Sequence, residues 1–415
     1  MSSHDLDIAI IGGGIVGIAA AAFLAEAGQK VTVIDRTGIC EETSSGNAAA
    51  LAFSDVLPLA HKGMMKNLPR WLADPLGPLA IPPSYLPNLV PWLWRFWRAG
   101  SPRHYEASLA AQAGMMKLSE PEWMGLLDRS GTKSMLREDG SLELYESEAE
   151  FGASLPGWAV RDRFAIPYRH VGGDELAALQ PGLSKQFVKA TFVPGWKTAD
   201  DPKVLGKAIW AYAERLGAEF VKGDVGLVMS PKEGVVIQLK QGRTFKARRL
   251  VIAAGAWSHL LARQLGDKIP LETERGYNTT LPVDAFDVKR QLIFSGHGFV
   301  ITPLVSGLRI GGAVELGGLK LPPNYARSKA MLQKARRFLP GLKTGGGREW
   351  MGYRPSLPDS LPVIGRSKTS PNVFYAFGHG HLGKTQAAGT ARLIRDLVSG
   401  DSPAIDIPPF SAQRF

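Results

Sequence analysis

Gly12, Gly14 and Gly17 form a G-x-G-x-x-G pattern, and a carboxylate follows at Asp35. Glycines at this spacing suit a phosphate-bearing dinucleotide. The first permits a sharp turn, the second lets a pyrophosphate approach the backbone, and the third lets a helix pack closely on a strand. Asp35 ends the second strand, where a carboxylate accepts hydrogen bonds from ribose hydroxyls. It would repel a 2′-phosphate, so adenosine without that phosphate is favoured. A second glycine loop, Gly378-His-Gly-His-Leu-Gly383, leads into Lys384 and another helical run. It repeats the order of strand, glycine turn and helix N-terminus that binds electron-rich groups.

The elements around the first pattern are legible. Ile8, Ile10 and Ile11 form a short β-branched run, as in a strand buried on both faces. Ile15 to Ala27 is small or helix-forming, and Gly28 suits the C′ position. The helix opens at Ile15 and Val16, where free N–H groups and a partial positive charge face the phosphates. Val31 to Ile34 is the second strand. A transmembrane span is the competing reading, but the apolar run is punctuated by glycine and ends at Glu26. Beyond Arg36, the hydroxyls of Thr43, Ser44 and Ser45 and the small run Ala48, Ala49, Ala50, with Leu51 next, make a second lip for a flat ligand. The alternative is a helix capped by Ser44 or Ser45. Leu250 to Ala253 is a further buried strand that turns through Ala254, Gly255 and Ala256 toward Trp257.

The chain of 415 residues has room for two cores, and 45% hydrophobic with 21% charged residues is ordinary for a globular protein. No repeat or low-complexity tract interrupts it. Met1 to Leu6 has no basic leader, and Cys40 is the single cysteine. An intrachain disulfide and a cysteine metal cluster are excluded, no metal is expected, and a reducing, cytoplasmic setting fits. The net charge of +11 and pI of 9.6 fit a solvated basic surface, steering of anionic substrates or contact with an anionic membrane. No nucleic-acid motif is present, so nucleic acid is not an expected partner.

Residues 57–105 are rich in proline and tryptophan, with Trp92, Trp94, Trp97, Arg95 and Arg98 in an amphipathic piece. Pro82, Pro83, Pro87 and Pro91 prevent a bilayer span. Two readings stand: an interfacial foot, or a helix packed within a second domain. Helices are expected over Glu106–Arg129, Lys203–Leu216, Ser328–Phe338 and Lys384–Val398. Alternation over 269–345 reads as a sheet of the second domain.

Four stretches together carry a family resemblance: GGGIVG with Asp35, ETSSGNAA from Glu42, LVIAAGAWS from Leu250, and GYRPSLPDSLPVIG (Gly352–Gly365) with AFGHGHLGKTQAAG (Ala376–Gly389). The chain resembles the D-amino acid oxidase superfamily of FAD-dependent oxidoreductases, most closely the bacterial D-amino acid dehydrogenases. The resemblance spans essentially the full length. It implies an α/β (α+β overall) fold. A Rossmann-like, two-dinucleotide-binding FAD domain would be built from 1–55, 196–268 and 350–415. The inserted substrate domain, 56–195 and 269–349, would be built on a mixed or antiparallel sheet.

The cofactor implied is FAD, held without a covalent bond, because relatives with cysteinyl flavin attach it in a half that here lacks cysteine. Asp35 would hold the ribose, and Gly12, Gly14 and Gly17 would face the pyrophosphate with Thr43 and Ser44 near it. Val225 would meet adenine through its backbone. Arg36, Ala254, Gly255 and Trp257 would line the cofactor. Gly380, His381, Leu382, Gly383 and Lys384 would lie against the isoalloxazine, whose N1–C2=O edge becomes anionic on reduction. Arg354 would clamp a substrate carboxylate in bidentate fashion. Tyr277 would add a hydrogen bond, or be a core tyrosine. His381 would contact substrate or flavin, or help deprotonate the amine, or be structural. His379 and Asp359 read as structural.

The activity implied is oxidative deamination of a D-amino acid, including cyclic ones such as D-proline or D-hydroxyproline. Hydride would go to flavin N5, giving an imino acid and then a 2-oxo acid. Electrons would pass to a quinone or other respiratory acceptor. Two alternatives remain: an oxygen-dependent oxidase of glycine, sarcosine or a related amine, and a flavin-binding subunit of a hetero-oligomeric amine dehydrogenase. Peripheral contact with the inner face of the cell membrane and oligomerisation are left open.

Overall fold

The computed structural model describes residues 5–61 and 77–415. Part of the proline- and tryptophan-rich stretch, 62–76, lies outside them. The elements that carry the site are, in chain order, β1 (Leu6–Ile11), α1 (Ile15–Glu26), β2 (Val31–Asp35), α2 (Leu86–Ala99), α3 (Pro102–Ser130), β3 (Thr244–Ile252), β4 (Glu272–Leu281), β5 (Gly307–Leu316), β6 (Arg348–Ser356), β7 (Val373–Phe377) and α4 (Gly383–Ser399).

Two large sheets organise these elements. In the first, β1 lies between β2 and β3, parallel to both, and Glu219–Lys222 extends the sheet beyond β2. The other edge of β3 is shared. Its first half pairs antiparallel with Val235–Leu239, and its last residues pair parallel with β7. Helix α1 is apolar all round, and its neighbours explain why: it is wedged between this sheet, α4 and the helix Pro202–Arg215. Gly28 follows the cap residue Ala27 with φ +75°, as expected of C′.

The second sheet runs from β6 through β4 and β5 to Phe299–Leu304, Gln291–Phe294, Ser141–Tyr145, Lys189–Val193 and Arg169–Gly172. It is mostly antiparallel, with a parallel step between Gln291–Phe294 and Ser141–Tyr145. The stretch beginning at 350 therefore opens inside the second sheet, because β6 pairs with β4 along its whole length. The long helix α3 also crosses the expected division. It starts at Pro102, a favoured first helical position. Met115, Trp123, Leu126 and Leu127 of α3 join the core under the first sheet, and the Trp123 indole donates to the carbonyls of Lys384 and Thr385 at 2.9 and 3.0 Å.

Helix α2, within the tryptophan-rich piece, has one packed and one exposed face. Leu89 and Trp92 pack against Leu316, while Trp94 and Trp97 are exposed. No helix among the described residues is long and apolar enough to cross a membrane.

Candidate active site

A cavity of about 810 Å³ runs from the C-terminal ends of β1, β2 and β3 to the face of the second sheet. Its size is at the upper end for small-molecule sites.

The end at the first sheet is built by the glycine turn. Gly12 adopts φ +118°, which a side chain rarely adopts, and a Cβ there would stand 2.3 Å from the Ala253 carbonyl oxygen. Gly14 ends the turn as the cap of α1 and supplies no side chain. The Ser44 hydroxyl instead accepts from the Ile15 N–H at 2.9 Å, so the second lip reaches the helix N-terminus as expected. Thr43 does something else: its hydroxyl exchanges hydrogen bonds with the Tyr353 backbone and ties the lip to β6. Asp35 braces both neighbouring turns, accepting from the N–H groups of Gly13, Thr37 and Gly38 at 2.8–3.0 Å. That leaves a ribose chiefly the free lone pair of Oδ2. Arg36 is held by Glu42 through two bonds of 2.6 and 2.7 Å, with its guanidinium 3.8 Å from the centre of the Trp257 ring. Val225, Ala254, Gly255 and Trp257 border the cavity beside it.

The lip itself is shaped by the removal of its carbonyls. Asn278 donates to Gly46, Arg309 to Ser45 and Asn47, Thr302 to Ala48, and Lys384 to Ala49. With those oxygens turned outward, a flat ligand meets a wall of small residues rather than a row of acceptors. Ala48 and Ala50 border the cavity. Gly17, Ala49 and Leu51, also expected near the cofactor, do not. Gly17 is consumed by packing, since a Cβ there would lie 2.0 Å from the Gly12 carbonyl oxygen. The side chains of Ala49 and Leu51 enter the core under α1.

At the second-sheet end, register decides which side chains meet. Arg354 pairs directly with Glu274, so Glu274, Gly276 and Asn278 share its face and Arg275 and Tyr277 take the other. The guanidinium lies over Gly276, where a Cβ would be 2.5 Å from Nη2, and Nη1 donates to the Ala313 carbonyl at 3.2 Å. Ala313 sits at φ +53° in a β5 irregularity opposite Gly276, which turns its carbonyl toward the arginine. Burial lowers the Arg354 pKa and the nearby Glu274 charge partly restores it. Tyr277 is not brought to this group. Its hydroxyl donates to Glu315 and accepts from the Asn324 N–H, inside a buried network with Arg275. Tyr277 also borders the cavity, and here its hydroxyl is occupied by that network. Parity along the strand separates it from Arg354.

Gly380, His381, Leu382, Gly383 and Lys384 line the cavity together. His381 Nε2 bonds Asp55 Oδ2 at 3.2 Å. Burial alone would raise the Asp55 carboxyl, but His381 and Arg161 outweigh it and hold it below its usual value. His379 faces inward to the Thr390 hydroxyl, and burial drops it to about 3, a neutral structural imidazole. Asp359 is structural too, bonded to Arg414 and to the Leu361 N–H. Cys40 is buried against Gly206, away from the cavity.

Sequence reasoning missed Asp55, Glu274, Gly276, Asn278 and Arg309. None lies in a motif, and strand alternation around 269–345 was the only signal for four of them. Arg309, Arg354 and Lys384 border the cavity and form no ion pair among the described residues. Asp201 acts on Lys384 and Arg309, and Glu274 on Arg354, but burial outweighs them and lowers all three, so an anionic group beside these side chains would be favoured. Helices α1 and α4 add first turns without capping side chains of their own.

Burial lowers Lys384 from 10.5 to about 7. The folded chain thus gives up this proton near 7, whereas the unfolded chain keeps it to the ordinary lysine value. The unfolded state binds more protons between those limits, so this group makes stability rise with pH across the window. A Lys384→Met variant is expected to flatten the rise in melting temperature of FAD-free protein between pH 7 and about 9. An unchanged slope would refute that burial.

A family profile described as FAD dependent oxidoreductase (DAO) matches residues 7–397. The chain belongs to the DAO family. FAD is accordingly its cofactor, and the arginines and lysine that border the cavity without ion pairs among the described residues, with the first turns of α1 and α4, fit a pyrophosphate-bearing, electron-rich group. The family member named D-amino-acid oxidase from Bradyrhizobium diazoefficiens is 33% identical, over 98% of each chain. A Neisseria meningitidis protein named D-amino acid dehydrogenase is 29% identical, over 99% of this chain and 100% of its own. Among solved structures, glycine oxidase from Geobacillus kaustophilus matches the whole of both chains with a TM-score of 0.75 and 23% identity. The DAO fold expected from the motifs is thus the fold observed.

Proposed function

We propose that this DAO family member is a dehydrogenase of D-amino acids, cyclic ones included. The observation that carries the reading is Arg354, an enclosed guanidinium that borders the cavity, forms no ion pair among the described residues and has only the nearby Glu274 charge to offset its burial. A planar fork of donors suits an α-carboxylate. The names of the most similar relatives support a D-amino acid as its owner.

In this reading the α1 N-terminus and Ser44 hold the pyrophosphate, Asp35 the ribose, and the backbone near Val225 the adenine. Ala48 and Ala50 of the lip and the α4 N-terminus hold the flavin ring. FAD, once bound, supplies the two-electron sink. Arg354 fixes the carboxylate and so aims the α-carbon, and orientation alone supplies several kcal/mol of the barrier reduction. The substrate amine must be neutral before its α-hydrogen leaves. With Nε2 of His381 committed to Asp55, Nδ1 is the ring atom that takes the ammonium proton. The imino acid from a primary amine then hydrolyses to a 2-oxo acid and ammonia, a cyclic amine gives a cyclic imine instead, and the electrons pass to a quinone or similar respiratory carrier.

The test is anaerobic bleaching of the bound flavin with D- and L-amino acids, glycine, sarcosine and both D-hydroxyprolines, followed by air. Rapid bleaching by a D-amino acid with slow re-oxidation is expected. Fast re-oxidation with peroxide would make the protein an oxidase. If none of these compounds bleached the FAD-loaded protein, amine oxidation would be excluded.

A further inference from the structure

Helix α2 carries an apolar surface that the oxidoreductase reading does not use. Leu86, Val90, Trp94 and Trp97 are 45%, 55%, 53% and 59% exposed. At about 100° per residue they fall within roughly a quarter turn of one another. The opposite face, Leu89, Trp92 and Phe96, is anchored on Leu316, Val314 and Leu79. The stripe is therefore a fixed, outward-facing feature. Exposed Arg98 borders it, with its guanidinium 4.9 Å from the centre of the Trp94 ring; Arg95 is exposed further round the same side of the helix, and Arg103 follows in the first turn of α3. No aspartate or glutamate occurs between Gly77 and Tyr105. The chain as a whole carries +11.

We propose that this face of α2 docks the protein on the surface of an anionic lipid bilayer. Indole rings sit at the level of headgroups, where one edge is apolar and the other wet. Leucine and valine enter the acyl boundary beside them. The arginines pair with lipid phosphates, and no carboxylate on the segment opposes that attraction. A protein partner of matching shape would need acidic groups around an apolar patch, whereas an anionic bilayer presents both everywhere. The position of the helix gives the docking a use. Val314, which packs against α2, also borders the cavity. A docked molecule would hold its cavity wall against the phase in which a lipid-soluble electron acceptor dissolves. The docking itself stands whatever the substrate is.

The experiment is co-sedimentation of the full FAD-loaded chain with phosphatidylcholine vesicles, with and without phosphatidylglycerol, at low and high salt. Binding to the anionic vesicles that weakens with salt is expected. The Trp94→Ala/Trp97→Ala variant is expected to bind about tenfold more weakly or worse, and Arg95→Gln/Arg98→Gln to lose the preference for anionic lipid. Both exchanges are on exposed positions, so flavin absorbance and anaerobic bleaching should be retained. Absence of binding at low salt would overturn the proposal. So would equal binding by the tryptophan variant. Concentration-dependent dimerisation that this variant abolishes, without vesicle binding, would overturn it as well and give the face to a second copy of the chain.

Discussion

Replacing Arg354 with leucine is expected to lower kcat/KM for a D-amino acid about a thousandfold, the effect of losing about 4 kcal/mol when one partner of an enclosed, charge-assisted pair is removed. Most of the loss should fall on substrate binding and on orientation of the α-carbon, so KM rises and flavin reduction slows together. The bound flavin spectrum should change little, because the arginine leans on Gly276 and the Ala313 carbonyl at the second-sheet end of the cavity. The free protein should not lose stability, since burial of the unpaired guanidinium is itself a cost. Lysine at 354 should recover only part of the rate, being a point charge on a flexible stem rather than a fork. Rapid-mixing measurement of flavin reduction against substrate concentration separates the two effects. A leucine variant within about fivefold of the original would remove Arg354 from the site.

The second large effect is expected at the first glycine turn. Alanine at Gly17 places a methyl 2.0 Å from the Gly12 carbonyl oxygen, a backbone atom held by the turn. Helix α1 must then move off β1, at a cost of at least about 3 kcal/mol. The variant should melt markedly lower and elute without FAD. Alanine at Gly14 provides the contrast: its methyl meets only the Ser44 hydroxyl, at 3.2 Å. That chain should keep its melting temperature while free of FAD and bind FAD far more weakly, because the methyl occupies the approach to the helix N-terminus. Melting curves of FAD-free protein and FAD titration by flavin fluorescence distinguish the two. If Gly17→Ala kept both stability and cofactor, the close packing of α1 on β1 would not matter as argued.

The dinucleotide half was legible in the sequence because its geometry is local. Ile8 to Asp35 is one continuous strand–turn–helix–strand unit, and the spacing of Gly12, Gly14 and Gly17 is set by that turn alone. The loop before α4 was readable for the same reason. The extent of β7, Val373–Phe377, follows from a run of apolar residues closed by glycine. The division into domains was only partly readable. Nothing in α3 says which core its apolar side faces, and that is decided by the contact between Trp123 and the start of α4.

The substrate half is different in kind. Asp55, Glu274, Ala313, Arg354 and His381 come from five separate stretches, and each position depends on how two strands or two loops are aligned across the fold. Arg354 was found through its motif, but its neighbours were not. Whether Tyr277 or Gly276 faces that arginine depends on a shift of one residue in the pairing of β4 with β6, which moves every side chain to the other face. Sequence alone thus determined the glycine turn, the strand and helix pattern, and the arginine at the second-sheet end of the cavity. Only the tertiary structure decided what surrounds that arginine, which lysine and arginine are buried without an ion-pair partner among the described residues, and which edge of α2 is left to solvent. Local spacing carries the first set, because neighbours in the chain are neighbours in space. Register, burial and long-range pairing carry the second, because they are properties of the assembled sheets.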